Sequence, residues 1–222
     1  MSFFARLIAE TAAERQFLGS VPQIQDGLAG RISRETYIAY LTEAYHHVRH
    51  TVPLMRAARA RLDDDHERFR EALDEYIAEE TGHEEWILDD IAHAGGDAAA
   101  ARANQPRFET EMMVAYAYDY IARIEPMGFF GMVFVLESTS TQLAGVGAQA
   151  VRDSLGLPGA AFSYLTSHGA IDQQHIAFLQ RLLEDVDDVA ERAAIVHMAR
   201  RMFVLFANVF AAIPHRRLVD AV

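Results

Sequence analysis

His168, Asp172 and His175 lie four and three residues apart, a spacing that puts two imidazoles and a carboxylate on one face of a helix turning about 100° per residue. Leu165, Ile176, Leu179 and Leu183 continue the same stripe, so the face carrying the polar groups is predicted to look inward. A neutral polar group buried there without a partner costs roughly 2 to 7 kcal/mol, and a charge costs more. A transition metal compensates such a set, because neutral imidazole and carboxylate are its ordinary ligands. Pairing of Asp172 with one of the histidines would do so without a metal.

Two other segments interrupt apolar stripes with the same residue types. Leu73, Ile77, Ile87 and Ile91 define an inward face that Glu80 and His83 break, and a Glu-x-x-His pair projects a carboxylate and an imidazole from one side of a helix, as in carboxylate-bridged metal sites of helical bundles. Glu79 also lies within reach of His83, and the stripe favours Glu80 without excluding it; a solvated acidic turn is the competing reading. Gly82, read as mid-helical, costs about 1 kcal/mol relative to Ala and points to close packing or to room for a ligand beside His83. Phe130, Val133, Phe134, Ser140, Thr141 and Ala144 share a face with Glu137, the one charged residue between Pro126 and Arg152. A buried glutamate paired with an arginine is the alternative there. Six groups that bind iron or manganese, on three helices, are better explained by one shared site than by three coincidences. His168 and His175 stand about 10 Å apart along a helix axis, so two ions about 3.5 to 4 Å apart use all six groups with less strain than one.

The elements that must position these groups read as helices near 4–18, 34–60, 64–94, 107–124, 127–154, 159–185 and 187–212, with a short turn near 22–29. The apolar period is helical throughout and no strand alternation stands out. Ser33 is the predicted N-cap of the second helix, Pro126 opens the fifth, and Gly95-Gly96 and Leu157-Pro158-Gly159 punctuate. No low-complexity linker and no internal repeat divides the chain, so residues 1–222 read as one all-α domain of about seven helices.

With 222 residues, 51% of them hydrophobic, the chain can bury a substantial core. A formal net charge of −12 argues against nucleic acid or an anionic membrane surface as partner. The absence of cysteine excludes disulfides, thiolate metal sites, iron–sulfur clusters and a cysteine nucleophile. The first sixteen residues read as an amphipathic helix rather than a signal peptide, and the longest apolar run, Met127 to Leu136, is about half a membrane span. The expectation is a cytoplasmic protein, and a homodimer on base rates.

In that order along the chain, Glu80-x-x-His83, Glu137 and His168-x-x-x-Asp172-x-x-His175 resemble the heme-oxygenase-like iron proteins, the non-heme di-iron oxidases and oxygenases that share the fold of the TenA thiaminases. The resemblance covers nearly the whole chain. It implies a single-domain heme-oxygenase-like bundle, Glu80, His83, Glu137, His168, Asp172 and His175 as metal ligands, and two Fe(II) ions, with manganese as a variant. It further implies O2 activation and oxidation of a small organic substrate. Glu137 is the expected bridge, with Asp172 and His175 on one ion and His83 on the other. Many members carry a glutamate seven residues before the first histidine ligand; Tyr76 stands there in this chain, and Glu80 takes its place. TenA-type hydrolysis needs a cysteine that this sequence lacks. The run Tyr45-His46-His47-Val48-Arg49-His50 makes heme worth naming but reads as pocket wall, so Tyr45, His47, His50, Tyr76 and Thr141 are the expected cavity residues. Two non-enzymatic readings compete: ferritin-like metal storage, with Glu43 as a further ligand, and a metal-free TenA-like ligand-binding protein.

Overall fold

The structure, a computed structural model, describes residues 1–218 apart from the side chains of residues 168–172. The described residues form α-helices joined by short turns, with one isolated bridge between Ile32 and Arg217 in place of any sheet. In chain order they are α1 (Phe3–Glu10), α2 (Ala12–Gly19), α3 (Pro22–Leu28), α4 (Arg34–Val48), α5 (Thr51–Arg61), α6 (Glu67–Glu80), α7 (His83–His93), α8 (Ala98–Ala103), α9 (Phe108–Arg123), α10 (Phe129–Leu155), α11 (Ser163–Leu183) and α12 (Val189–Ala212).

There are more segments than the about seven expected, because three of the long helices are broken. Thr11 separates α1 from α2. Pro53 sits in the first turn of α5, where its ring clashes with the carbonyl four residues back and it has no N–H to offer it, so the helix expected over 34–60 stops at Val48 and restarts. Gly82 divides the helix expected over 64–94. It is not mid-helical: its φ is +96°, it caps α7, and a Cβ there would meet nothing within 4 Å. Backbone conformation, and not close packing, is what calls for glycine at that position. The short α8 was not anticipated; Asp97 caps it by accepting from Ala100 N.

Two apolar clusters result. The larger gathers α1, α2, α5, α6, α9, α12, the first half of α10 and the second half of α11, around Phe130, Phe134, Leu73, Leu179 and Phe203. The smaller joins α4, α7, the end of α10 and the start of α11, around Tyr37, Leu41, Ile87 and Phe162. The breaks at Arg49–His50 and Thr81–Gly82 fall where the chain passes from one cluster to the other, so α10 and α11 are the elements that cross without interruption. By length and composition α12 is long and apolar enough to cross a bilayer; here Ile195, Met198, Ala199, Met202 and Phe203 on it are buried inside the molecule. A Cβ at Gly131 of α10 would overlap the Ile195 carbonyl oxygen of α12, so that crossing is closer than any side chain permits.

Buried capping fixes how the crossing helices sit. Asp90 of α7 accepts from Ser163 N and Tyr164 N at 2.9 Å each and caps the start of α11 from across the fold. Burial still raises the Asp90 carboxyl above its ordinary value, against these hydrogen bonds. Glu184 at the other end of α11 accepts from Phe3 N and Phe4 N at 3.0 and 3.1 Å and anchors α1.

Candidate metal centre

The seam between the clusters is where the buried carboxylates and imidazoles collect. Glu80 ends α6, His83 opens α7, Glu137 is about a third of the way along α10 and His175 mid-way along α11; they are 8%, 5%, 7% and 6% exposed. His83 Nδ1 lies 2.9 Å from Glu80 Oε2. His175 Nδ1 lies 3.6 Å from Glu137 Oε1 and 4.0 Å from Glu80 Oε1. The turn at Thr81–Gly82 brings Glu80 and His83 together, since it folds the first residue of α7 back on the last of α6. Glu137 reaches the same point because α10 spans both clusters, so the face that packs as Phe130, Val133 and Phe134 in one meets the seam one turn later.

Glu79 and Glu80 point different ways. Glu80 is inside, whereas the Glu79 side chain is 59% exposed and its Oε2 lies 2.6 Å from His175 Nε2. Tyr76, in the position of a ligand in the resembled family, presents an aromatic wall: its ring stands edge-on to His175 at 5.0 Å and its hydroxyl donates to the His175 carbonyl at 3.4 Å. Trp86 stacks on His83 at 4.0 Å. Four of the six expected ligands are thus brought together. His168 and Asp172 are on α11 with His175, but their side chains lie outside the described residues. Among the described residues, no three His, Asp or Glu groups stand in a ready metal-ligand set.

Two hollows flank the seam. On one side, a cavity of about 200 Å³ is walled by apolar groups such as Met55, Met132, Val133, Leu136 and Phe206, and Glu80 and Glu137 enter it. His47, Tyr40 and Ser140 are its other polar residues of note. His47 is buried edge-on against Phe206 at 5.6 Å. Burial pushes the Tyr40 phenol up, so it stays protonated. The Ser140 Oγ is buried with no hydrogen-bond partner among the described residues. On the other side, a cleft is lined by Glu75, Tyr76, Glu79, His83, Gln174 and His175.

The remaining expected cavity residues go elsewhere. Tyr45 is buried under the guanidinium groups of Arg49 and Arg102, 5.5 and 6.0 Å from its ring centre. His50 Nδ1 contacts the Tyr118 hydroxyl at 3.2 Å, and burial lowers its pKa. The Thr141 hydroxyl donates to the Glu137 carbonyl within α10. Glu43 accepts from Arg107 N at 3.1 Å and Thr110 Oγ1 at 2.5 Å, the partners of a structural carboxylate. Sequence reasoning passed over Tyr40 and Met55, which carry no signal that separates cavity wall from core; Ser140 belongs to the polar run after Glu137 that the sequence offered as a cavity lining.

The donors fit iron in kind: two carboxylates and two imidazoles, buried, within 4.0 Å of one another through His175 and His83, with an apolar cavity alongside. Residues 38–207 match the model of a family described as iron-containing redox enzyme. No curated protein sequence matches the chain. Among solved structures it is similar to a domain of unknown function with a heme oxygenase-like fold from Shewanella denitrificans, at TM-score 0.85 and 23% identity over 95% of this chain and 90% of that one. It is also similar to a TenA homolog from Pseudomonas syringae, at TM-score 0.77 and 10% identity over 95% and 91% of the two chains. The heme oxygenase of Leptospira interrogans gives TM-score 0.70 and 16% identity over 95% and 99%. At these identities the likeness establishes the fold, which is heme-oxygenase-like.

Proposed function

From the premise that the chain belongs to the iron-containing redox enzyme family, we propose that it binds two ferrous ions at the seam and uses O2 to oxidise a small, largely apolar organic substrate. The observation that carries this reading is the meeting of Glu80, His83, Glu137 and His175 from three parts of the chain beside an apolar cavity. These four residues would hold iron, and the spacing of His168 and Asp172 adds two further donors from α11. Manganese suits the same oxygen and nitrogen ligands. Iron bound there supplies O2 activation. The protein does the rest by placement: Met132, Val133, Leu136 and Phe206 hold the apolar part of the substrate and exclude water. The Ser140 hydroxyl and the neutral Tyr40 phenol offer hydrogen bonds to a polar end.

Anaerobic Fe(II) titration tests this. About two irons per chain, followed by O2 consumption on aeration, supports the oxidase; bulk mineralisation supports storage, and no uptake leaves a ligand-binding protein. His175→Ala is expected to lose at least one iron equivalent, and retention of both sinks the assignment. A second reading, heme in the same cavity, draws on the buried His47 that lines it. Added hemin would then show a Soret band shifted from that of free hemin, and His47→Ala would abolish the shift.

A further inference from the structure

Adjacent residues on a helix face about 100° apart, and α6 ends by using this difference: Glu80 turns in toward His83, and Glu79 turns out into the polar cleft. His175 reaches between them. Its Nε2 lies 2.6 Å from Glu79 Oε2, while its Nδ1 faces Glu137 and Glu80 at 3.6 and 4.0 Å. The ring therefore has an outer and an inner nitrogen. A carboxylate accepts a hydrogen bond and cannot donate one, so a contact of this length to Glu79 places a proton on Nε2. Metal binding requires the neutral imidazole, which carries one ring proton, so with that proton on Nε2 the lone pair left for a metal is on Nδ1, on the side of Glu80 and Glu137. Tyr76 holds the plane of the ring, edge-on at 5.0 Å.

We propose that Glu79 is a positioning residue: by holding the proton on Nε2, it presents His175 to iron through Nδ1. The inference rests on the iron centre proposed above. Carboxylates that fix the tautomer of a metal-bound histidine in this way typically contribute 10- to 100-fold to metal affinity. Glu79 then belongs to the site without being a ligand, which separates its role from that of its neighbour Glu80.

The test uses the full chain with 15N-labelled histidine and Zn(II) as a diamagnetic probe. Long-range 1H–15N spectra are expected to show His175, identified by its loss in His175→Ala, with a protonated Nε2 and a metal-bound Nδ1. A metal-bound Nε2 overturns the proposal and leaves the iron centre standing; failure of the wild-type chain to take up Zn(II) or Fe(II) overturns both. Glu79→Ala is expected to weaken Fe(II) binding by about 10- to 100-fold with saturation stoichiometry and melting temperature unchanged. Glu79→Gln keeps an oxygen that accepts from Nε2–H and is expected to restore part of that affinity. Unchanged Fe(II) affinity in Glu79→Ala refutes the role.

Discussion

Asp26 and Glu80 are both buried carboxylates, but their surroundings differ. Asp26 is ringed by Arg31 Nη2 and Arg217 Nε at 2.6 Å and His215 Nε2 at 2.8 Å. Burial works to raise its pKa, and the hydrogen bonds from Arg217, Arg31 and His215 outweigh it and hold the carboxyl at about 2. Its work is structural: with Thr36, which accepts from Arg216 N at 2.9 Å, it ties the segment after α12 to the turn between α3 and α4. Glu80 and Glu137 meet His83 and His175 in the described contacts. An arginine is a permanent cation that completes a carboxylate; an imidazole is, in its neutral form, itself a metal ligand. The first centre joins a carboxylate to permanent cations, whereas the second joins carboxylates to imidazoles, the groups that would hold iron in the function proposed above.

The largest effect is expected at the seam. Glu137→Gln, which removes the expected bridging carboxylate, is expected to drop iron uptake from about two equivalents per chain to one or fewer. The melting temperature of the metal-free protein should stay level or rise, because two carboxylates no longer approach the same His175 nitrogen. A fall in metal-free stability like that of an Asp26 variant would mean that both centres are structural.

Asp26→Asn is the converse change. Leaving three donors short of a charge is expected to cost about 1 to 3 kcal/mol in denaturant unfolding, below the figure for a fully buried pair because Arg31 and Arg217 are more than half exposed and regain water. Iron stoichiometry should not change. The pH dependence has a definite sign: a carboxyl held below its ordinary value stabilises the fold above pH about 4, and that contribution is lost as pH falls toward 2. In Asp26→Asn this acid-side slope should flatten.

The smallest effect is expected at Gly82. An alanine has open space there, but φ of +96° remains unfavourable, so Gly82→Ala should lose about 1 to 2 kcal/mol. Since the same turn sets His83 against Glu80, iron affinity should weaken with it, and unaltered stability would show that the break does not need a left-handed residue.

Much of this was legible in the sequence, and the reasons are local. Helical periodicity, the Ser33 cap, which accepts from Thr36 N at 3.3 Å, and an isolated Glu137 among apolar neighbours are all read within a few turns of chain. The burial of Glu137 and His175 followed from the stripes that carry them, and for Glu80 and His83 the stripe favoured an inward face over a solvated acidic turn. The helix breaks were less visible. Pro53 and Gly82 stood in the sequence, but a proline in a first turn and a glycine inside a helical pattern are each compatible with continuation, and only the passage of the chain between two apolar clusters decides for interruption.

By itself, then, the sequence determined the helical class, the absence of thiol chemistry and the residue types available to hold iron, because composition and period depend on neighbours along the chain. Tertiary structure decided which glutamate faces inward, that Tyr45, His50 and Thr141 turn to partners other than the cavity, and that Glu43 and Asp26 are satisfied by their own donors. Those outcomes depend on which helices cross at the seam and at what rotation, and rotation about a helix axis is set by packing against elements remote in the chain.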